Sequence, residues 1–245
     1  MIPYNKYDEE EFFQKYSKME RSLKGLDGAG EWQELKKMLP EFTGKRVLDL
    51  GCGYGWHCRY AIEQGAGSAI GIDISMKMLE EARRKTRSDS IKYLCLPIEE
   101  MDFPDACFEI VISSLAFHYI ENLEEVINKV YRVLTPGGNF VFSAEHPIFT
   151  AQGTQDWHYD QDGEKLHWPV DRYFEEGIRR SVFLEEEVMK YHRTLTTYVN
   201  NLIKAGFEIT GLVEPQPPEH MLRAIPGMQE ELRRPMMILI SARKR

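Results

Sequence analysis

The stretch KRVLDLGCGYGWHCRYA, Lys45 to Ala61, limits what this chain can fold into more than any other. A run of Val and Leu ends beside an acidic residue, Asp49, and glycines then occupy positions 51, 53 and 55. Immediately afterwards apolar residues resume at helical spacing. A buried strand, a tight turn and a helix satisfy this pattern together, which is the start of a βαβ unit. Glycine has no Cβ, so the turn can bring backbone N–H groups close to a ligand, and the helix N-terminus adds partial positive charge. Such a turn is expected to cradle a nucleotide-like molecule.

The order of residues narrows the choice. A dinucleotide fingerprint needs Gly or Ala at the sixth position of G-x-G-x-x-G, for close packing of helix on strand. That position here is Trp56. Asp49, two residues before the first glycine, would repel a diphosphate but suits a ligand carrying an amino group. A second acidic residue, Asp73, ends the next apolar run, SAIGID. A carboxylate there accepts hydrogen bonds from ribose hydroxyls. A helix cap is the simpler role for Asp73, and its position favours ribose.

The same alternation continues along the chain. Ser75 is placed to cap a helix reaching about Lys85, and IKYLCL and FEIVISS read as strands. A helix over Asn122–Leu134 is stopped by Pro136-Gly137-Gly138, and NFVFSAE is a further strand. Near-continuous apolar strands between helices imply a parallel sheet covered on both faces. Ahead of this core, residues 1–44 read as a helical arm, with one helix from Asp8, its N-cap candidate, to about Leu23. A shorter helix around Trp32–Leu39 ends at Pro40. From 146 to 192 the rhythm breaks in an aromatic, turn-rich segment too long for a simple loop, expected to be a lid or substrate insert. Residues 193–245 complete the core, with a helix closed by Gly206 and two strands, FEITGLVE and MMILISA. The fold class expected is therefore α/β and doubly wound, with residues 45–145 carrying the ligand site.

Composition excludes several functions. A formal net charge of −8 repels a phosphate backbone, so no nucleic-acid partner is expected. None of the four cysteines forms a C-x-x-C pair, and no Cys/His spacing matches a zinc motif, so no metal is expected and the thiols read as reduced. No apolar stretch reaches membrane-spanning length, and the acidic N-terminal residues lack a leader's apolar core. A cytoplasmic location without a membrane partner is the expectation.

The successive segments VLDLGCGYG, GIDIS with Met78, FEIVISSLAFHYI and VLTPGG resemble the ordered motifs of class I S-adenosylmethionine-dependent methyltransferases, in the small-molecule, type 11-like branch. The resemblance spans Lys45 to Glu145 closely and the last helix and strands in outline. It implies a Rossmann-like, mostly parallel sheet of seven strands in which only the last, Met236 to Ala242, runs antiparallel. It also implies S-adenosylmethionine as cofactor and S-adenosylhomocysteine as product. Carried onto this sequence, Asp49, Gly51, Cys52 and Gly53 hold the methionine end, with Asp49 near the ammonium. Asp73 holds the ribose, and Ile74 and Met78 flank the adenine. Pro97 and Ile98 stand where the family offers an acidic and a small residue to the adenine, so Glu99 is the candidate replacement. Ser113 and Leu115 contact the methionine portion.

Methyl transfer from a sulfonium is an in-line displacement that mainly needs alignment and exclusion of water. A general base is required only where the acceptor must lose a proton early. The sequence SSLAFH, Ser113 to His118, lacks the N/D-P-P-Y/F signature that the family uses on exocyclic amino groups of bases or glutamine. His118 and His146 are the candidate bases, each weighed against a packing role. Tyr4, Tyr16, Trp168 and His192 are candidate contacts to a small-molecule acceptor, with a self-packed aromatic lid as the plainer reading of the insert. Two other functions fit the same turn: an enzyme using a modified form of the cofactor, and a regulatory module that binds cofactor without turnover.

Overall fold

The computed structural model describes residues 5–245. Four parallel-sheet strands appear where the sequence places them, β1 Arg46–Leu50, β2 Ser68–Asp73, β3 Ile91–Cys95 and β4 Phe108–Ser114, while the fifth, β5 Leu134–Glu145, begins five residues before NFVFSAE and takes in the Pro136-Gly137-Gly138 stop. Two short hairpins follow, β6 His158–Tyr159 with β7 Lys165–His167, and β8 Gly177–Phe183 with β9 Glu186–His192. Strands β10 Phe207–Val213 and β11 Met237–Lys244 return to the main sheet, whose order is β10-β11-β5-β4-β1-β2-β3. Only β11 is antiparallel to its neighbours, β5 and β10. The sheet thus has the expected seven-stranded, mostly parallel arrangement. The chain leaves β1 toward β2 on one side and enters β4 on the other, so a crevice opens outside the carboxyl ends of β1 and β4, where such sheets bind ligands.

Nine helices are described: α1 Glu10–Ser17, α2 Glu20–Lys24, α3 Trp32–Met38, α4 Trp56–Glu63, α5 Met76–Lys85, α6 Leu123–Val133, α7 Pro147–Ala151, α8 Leu195–Ala205 and α9 Glu219–Ala224. Strand alternation divides the core between them. Val47, Ala69, Ile110 and Ile112 pack with Cys58 and Ala61 of α4 and Leu79 and Ala82 of α5, while Val141 and Leu239 meet Trp32 and Leu35 of α3. Leu48, Leu50, Phe140, Phe142, Ile238 and Ile240 face α6 and α8 on the opposite side. In α6 the buried residues Leu123, Val126, Ile127, Val130 and Val133 form one helical stripe. Each fully buried aliphatic side chain of this kind contributes about 1.5–3 kcal/mol. Ser75 and Gly206 cap where expected, Ser75 accepting from Met78 N and Gly206 closing α8 at φ +98°; Asn122, read as the first residue of its helix, proves to be the cap of α6 and accepts from Glu125 N.

The arm departs from its expected form. The single helix from Asp8 to Leu23 is two helices, because Met19 adopts an extended backbone (ψ 149°) between α1 and α2. Asp8 does not cap α1, whose N-cap is Glu9. Its Oδ1 instead accepts from Ser75 Oγ at 2.6 Å and Lys77 N at 3.1 Å, pinning the arm across the start of α5. In the insert, β8–β9 is an inverted hairpin. Arg179, Ser181, Lys190 and His192 are buried, while Ile178, Val182 and Met189 are exposed.

Candidate functional site

A cavity of about 1040 Å³ lies over the carboxyl edge of β1, β2 and β4, walled also by the arm, by β9 and by the segment after β10. Gly51, Gly53, Asp73, Ile74, Met78, Pro97, Ile98, Glu99 and Leu115 all reach its wall, as does Tyr16 of the arm. The glycines serve different ends. A Cβ on Gly51 would meet the Ala116 Cβ at 2.6 Å, and one on Gly55 would meet the Tyr93 hydroxyl at 2.2 Å, so both permit close packing. A Cβ on Gly53 would touch nothing within 4 Å, so this glycine leaves room at the cavity wall. All three have φ between +50° and +71°, the region glycine occupies without strain.

The loop's amides are not bare, contrary to the expectation above. Gly51 N and Cys52 N donate to Ile72 O, Gly53 N to Asp73 Oδ2 at 2.8 Å, and Gly55 N to Cys52 O. Asp73 therefore binds the loop directly, and its other oxygen accepts from Ser75 N at 2.9 Å. Burial pushes its carboxyl up to about 6, against these backbone bonds, which pull the other way. Each oxygen keeps a lone pair to offer a hydroxyl in the cavity.

Three residues expected at the cofactor are not on the cavity wall. Cys52 packs against Gly71 and Cys58 in the α4 layer. Ser113 Oγ donates to Leu50 O at 2.9 Å inside the sheet. Asp49 is fully buried beneath the glycine loop, because strand alternation sends its side chain to the face covered by α4. Its Oδ2 accepts from the Cys58 thiol at 3.5 Å, and Oδ1 has no partner. Desolvation pushes its carboxyl up to about 7.

The histidines also part company. His118 reaches the cavity, but both ring nitrogens turn toward Glu145: Nδ1 is 3.4 Å from Glu145 N, and Nε2 is 3.9 Å from Oε1. With Nδ1 accepting, the proton sits on Nε2, and no lone pair is left for a substrate proton. Burial pulls its pKa down to about 4, so it is neutral near pH 7. His146 is off the wall: Nδ1 caps α7 by accepting from Ile148 N at 3.0 Å, and Nε2 lies 2.8 Å from Glu214 Oε1. His192 is off it too, tied to Thr150 Oγ1 and Tyr173 O, each at 2.8 Å. Trp168 stacks on Phe149 at 5.1 Å with the Arg234 guanidinium 4.1 Å from its ring centroid, a satellite core and not a contact surface. Tyr4 lies outside the described residues.

The cavity gathers other residues that no local sequence signal marked. Glu145, at the end of β5, accepts from Lys190 Nζ at 2.6 Å and from Gln155 Nε2 at 2.7 Å, and Lys190 also donates to Gln155 Oε1 at 2.8 Å. Burial alone would push the Glu145 carboxyl up, but the neighbouring His118, the Lys190 ammonium and the Gln155 amide keep it below its ordinary value. Across the cavity the Arg21 guanidinium pairs with Glu31, while the Tyr7 and Tyr119 hydroxyls meet at 3.2 Å. Glu145 could have been flagged by its place at a strand's carboxyl end; Lys190, Arg21 and Glu31 gave no such sign. Among the described residues, no group of three or more His, Cys, Asp or Glu could hold a metal ion, and no helix is long and apolar enough to cross a membrane.

Known proteins resemble this chain in sequence and fold. A family model for a methyltransferase domain (Methyltransf_11) matches residues 48–142. A Haemophilus influenzae protein of uncharacterised role is 35% identical over 97% of this chain and 96% of its own length. A shorter match, 31% identical over 51% of this chain and 48% of the relative, is to the malonyl-[acyl-carrier protein] O-methyltransferase of Pectobacterium atrosepticum. Among solved structures, a Listeria monocytogenes protein provisionally named an S-adenosylmethionine-dependent methyltransferase is 55% identical. It covers 90% of this chain and 99% of that one, with a TM-score of 0.86. An S-adenosylmethionine-dependent methyltransferase from Mesorhizobium loti is 44% identical over 90% of this chain and 100% of that one, with a TM-score of 0.83. With the glycine turn, Asp73 at the end of β2 and the seven-stranded order already in place, these matches make the chain a member of the class I S-adenosylmethionine-dependent methyltransferases, an enzyme whose cofactor is S-adenosylmethionine.

Proposed function

We propose that the enzyme methylates a small organic molecule held in the same cavity as the cofactor, under a cover formed by the described part of the arm (residues 5–44) and the insert (residues 146–192). One observation carries this reading: a single cavity of about 1040 Å³ runs from Asp73 and Gly53 to Lys190 and Met221. Pockets for one small ligand occupy roughly 300–1,000 Å³, so this cavity stands at the top of that range, and its wall continues past the residues expected at the cofactor to Lys190 and Met221. The malonyl-[acyl-carrier protein] relative supports a carboxyl or hydroxyl oxygen as one acceptor type to include in a screen.

The bound cofactor supplies an electrophilic methyl group on a sulfonium. The protein's part is to align the acceptor and keep water out. Asp73, Ile74, Met78 and Ile98 line the nucleoside half, with Pro97 and Glu99 at the adenine edge and Leu115 toward the methionine portion. Met189, Met221 and Met228, with Phe149 and Phe183, line the acceptor half; methionine adapts to irregular apolar shapes. Tyr16 belongs to the arm's cover over this half. Lys190 and Glu145 place fixed charges at one end, suiting an acceptor with an apolar body and a polar or acidic group. Neither of the two candidate histidines, His118 and His146, stands free as a base, which favours an acceptor that reacts as its anion or through a neutral lone pair. The cytoplasm, with its supply of cofactor, is the proposed location.

The test is a metabolite panel incubated with enzyme and methyl-labelled cofactor, scored by S-adenosylhomocysteine release and label in the acceptor. Release with at least one small molecule, and none with DNA, RNA or intact protein substrates, is the expected result. Labelling confined to a macromolecule would overturn the proposal.

A further inference from the structure

We infer that Arg21 and Glu31, both from the N-terminal arm, clamp the amino-acid end of the cofactor, Arg21 at its carboxylate and Glu31 at its ammonium. This rests on the methyltransferase reading and assigns a role to a pair that reading does not use. Glu31 is only 2% exposed, yet its Oε2 has no hydrogen-bond partner. Its other oxygen takes Arg21 and lies 3.4 Å from Ser114 Oγ. An ionised carboxylate accepts several hydrogen bonds, and leaving a buried oxygen unmet is costly, so the site is built for a donor from outside the chain. Arg21 lines the same cavity and spends one arm of its guanidinium on Glu31, which leaves further N–H donors of the fork for a second carboxylate.

Position agrees with this assignment. Asp73 ends β2 and Ser114 ends β4, with β1 and its glycine turn between them. Two strand spacings separate them, roughly 10 Å, which suits a molecule stretched from ribose to amino acid across Gly51 and Gly53. Charge agrees as well. A zwitterion laid against an ion pair neutralises both members and buries no net charge. Asp49, the residue the family motif would assign to the ammonium, lies beneath the loop and off the cavity wall.

Calorimetry with two probes tests the clamp. S-adenosylhomocysteine carries the amino-acid end, and 5′-methylthioadenosine has the same nucleoside and thioether without it. R21Q and E31Q are expected to weaken S-adenosylhomocysteine about ten- to a hundredfold, while 5′-methylthioadenosine binds as to wild type. R21K should recover part of the loss. The double variant R21Q/E31Q, which leaves no lone buried charge, keeps the comparison readable if a single variant melts early. Equal weakening of both probes would make the pair merely structural, and unchanged S-adenosylhomocysteine binding would remove its role; either result overturns the inference alone. Failure of wild type to bind S-adenosylhomocysteine at all would instead overturn the functional reading beneath it.

Discussion

Replacing Asp49 by asparagine removes a buried carboxyl that has one weak partner and one unpaired oxygen. Its pKa rises from 3.8 to about 7, chiefly through desolvation, with Asp73 adding repulsion and the Cys58 thiol opposing. The unfolded chain loses this proton near pH 4, and the folded chain keeps it until about pH 7. Within that window the native state binds more protons, so its stability falls as pH rises. One pKa unit corresponds to about 1.4 kcal/mol, so a shift of about three units amounts to about 4 kcal/mol once the group is ionised. D49N carries no such penalty. Urea denaturation at pH 5, 6, 7 and 8 should show the variant gaining on wild type by about 2–3 kcal/mol across the series, nearly all of it below pH 7. A difference that stays level from pH 5 to pH 8 would refute the reasoning, because it would mean the carboxyl is ionised throughout or reaches solvent. Since Asp49 is off the cavity wall, D49N should also bind S-adenosylhomocysteine about as well as wild type.

Gly55→Ala places a Cβ 2.2 Å from the Tyr93 hydroxyl at φ +70°, whereas Gly53→Ala meets nothing within 4 Å. Denaturation should show G55A losing about 2–5 kcal/mol and G53A only about 1–2, the left-handed strain alone. K190M strands the Glu145 carboxylate and should cost about 3–5 kcal/mol in the same assay, with most of it restored in K190M/E145Q, where no buried charge is left alone. His118, held down to about 4, does not titrate between pH 5.5 and 8. The kcat/KM profile of wild type should therefore have no inflection near 6.5 that H118N abolishes.

The core was legible because its signals are local. The apolar run into Asp49, the left-handed glycines at 51, 53 and 55, the Ser75 cap and Gly206 each constrain a few neighbouring residues, and each appears at the place read, although the amides of the glycine turn are bonded within the chain. Asp73 was identifiable for the same reason, standing at the end of a strand whose place in the sheet follows from motif order. The arm and insert were harder. Met19 interrupts an otherwise regular amphipathic run, and the β8–β9 hairpin buries Lys190 and His192 while exposing Val182 and Met189, the reverse of the usual alternation. Partners distant in the chain, Glu145 for Lys190 and Thr150 for His192, make that reversal stable.

By itself the sequence determined the strands, the glycine turn and the helix ends, since strand period, left-handed turns and helix caps are set by residues within a few positions of one another. The order of the sheet and the class of cofactor followed from the resemblance of its ordered motifs to a known family. Only the tertiary structure decided which side chains face the cavity. It turned Asp49 into the α4 layer, bent His118 toward Glu145 and brought Arg21 and Glu31 to the cavity wall. The direction of a side chain depends on which layer covers its face, and that layer comes from chain many residues away.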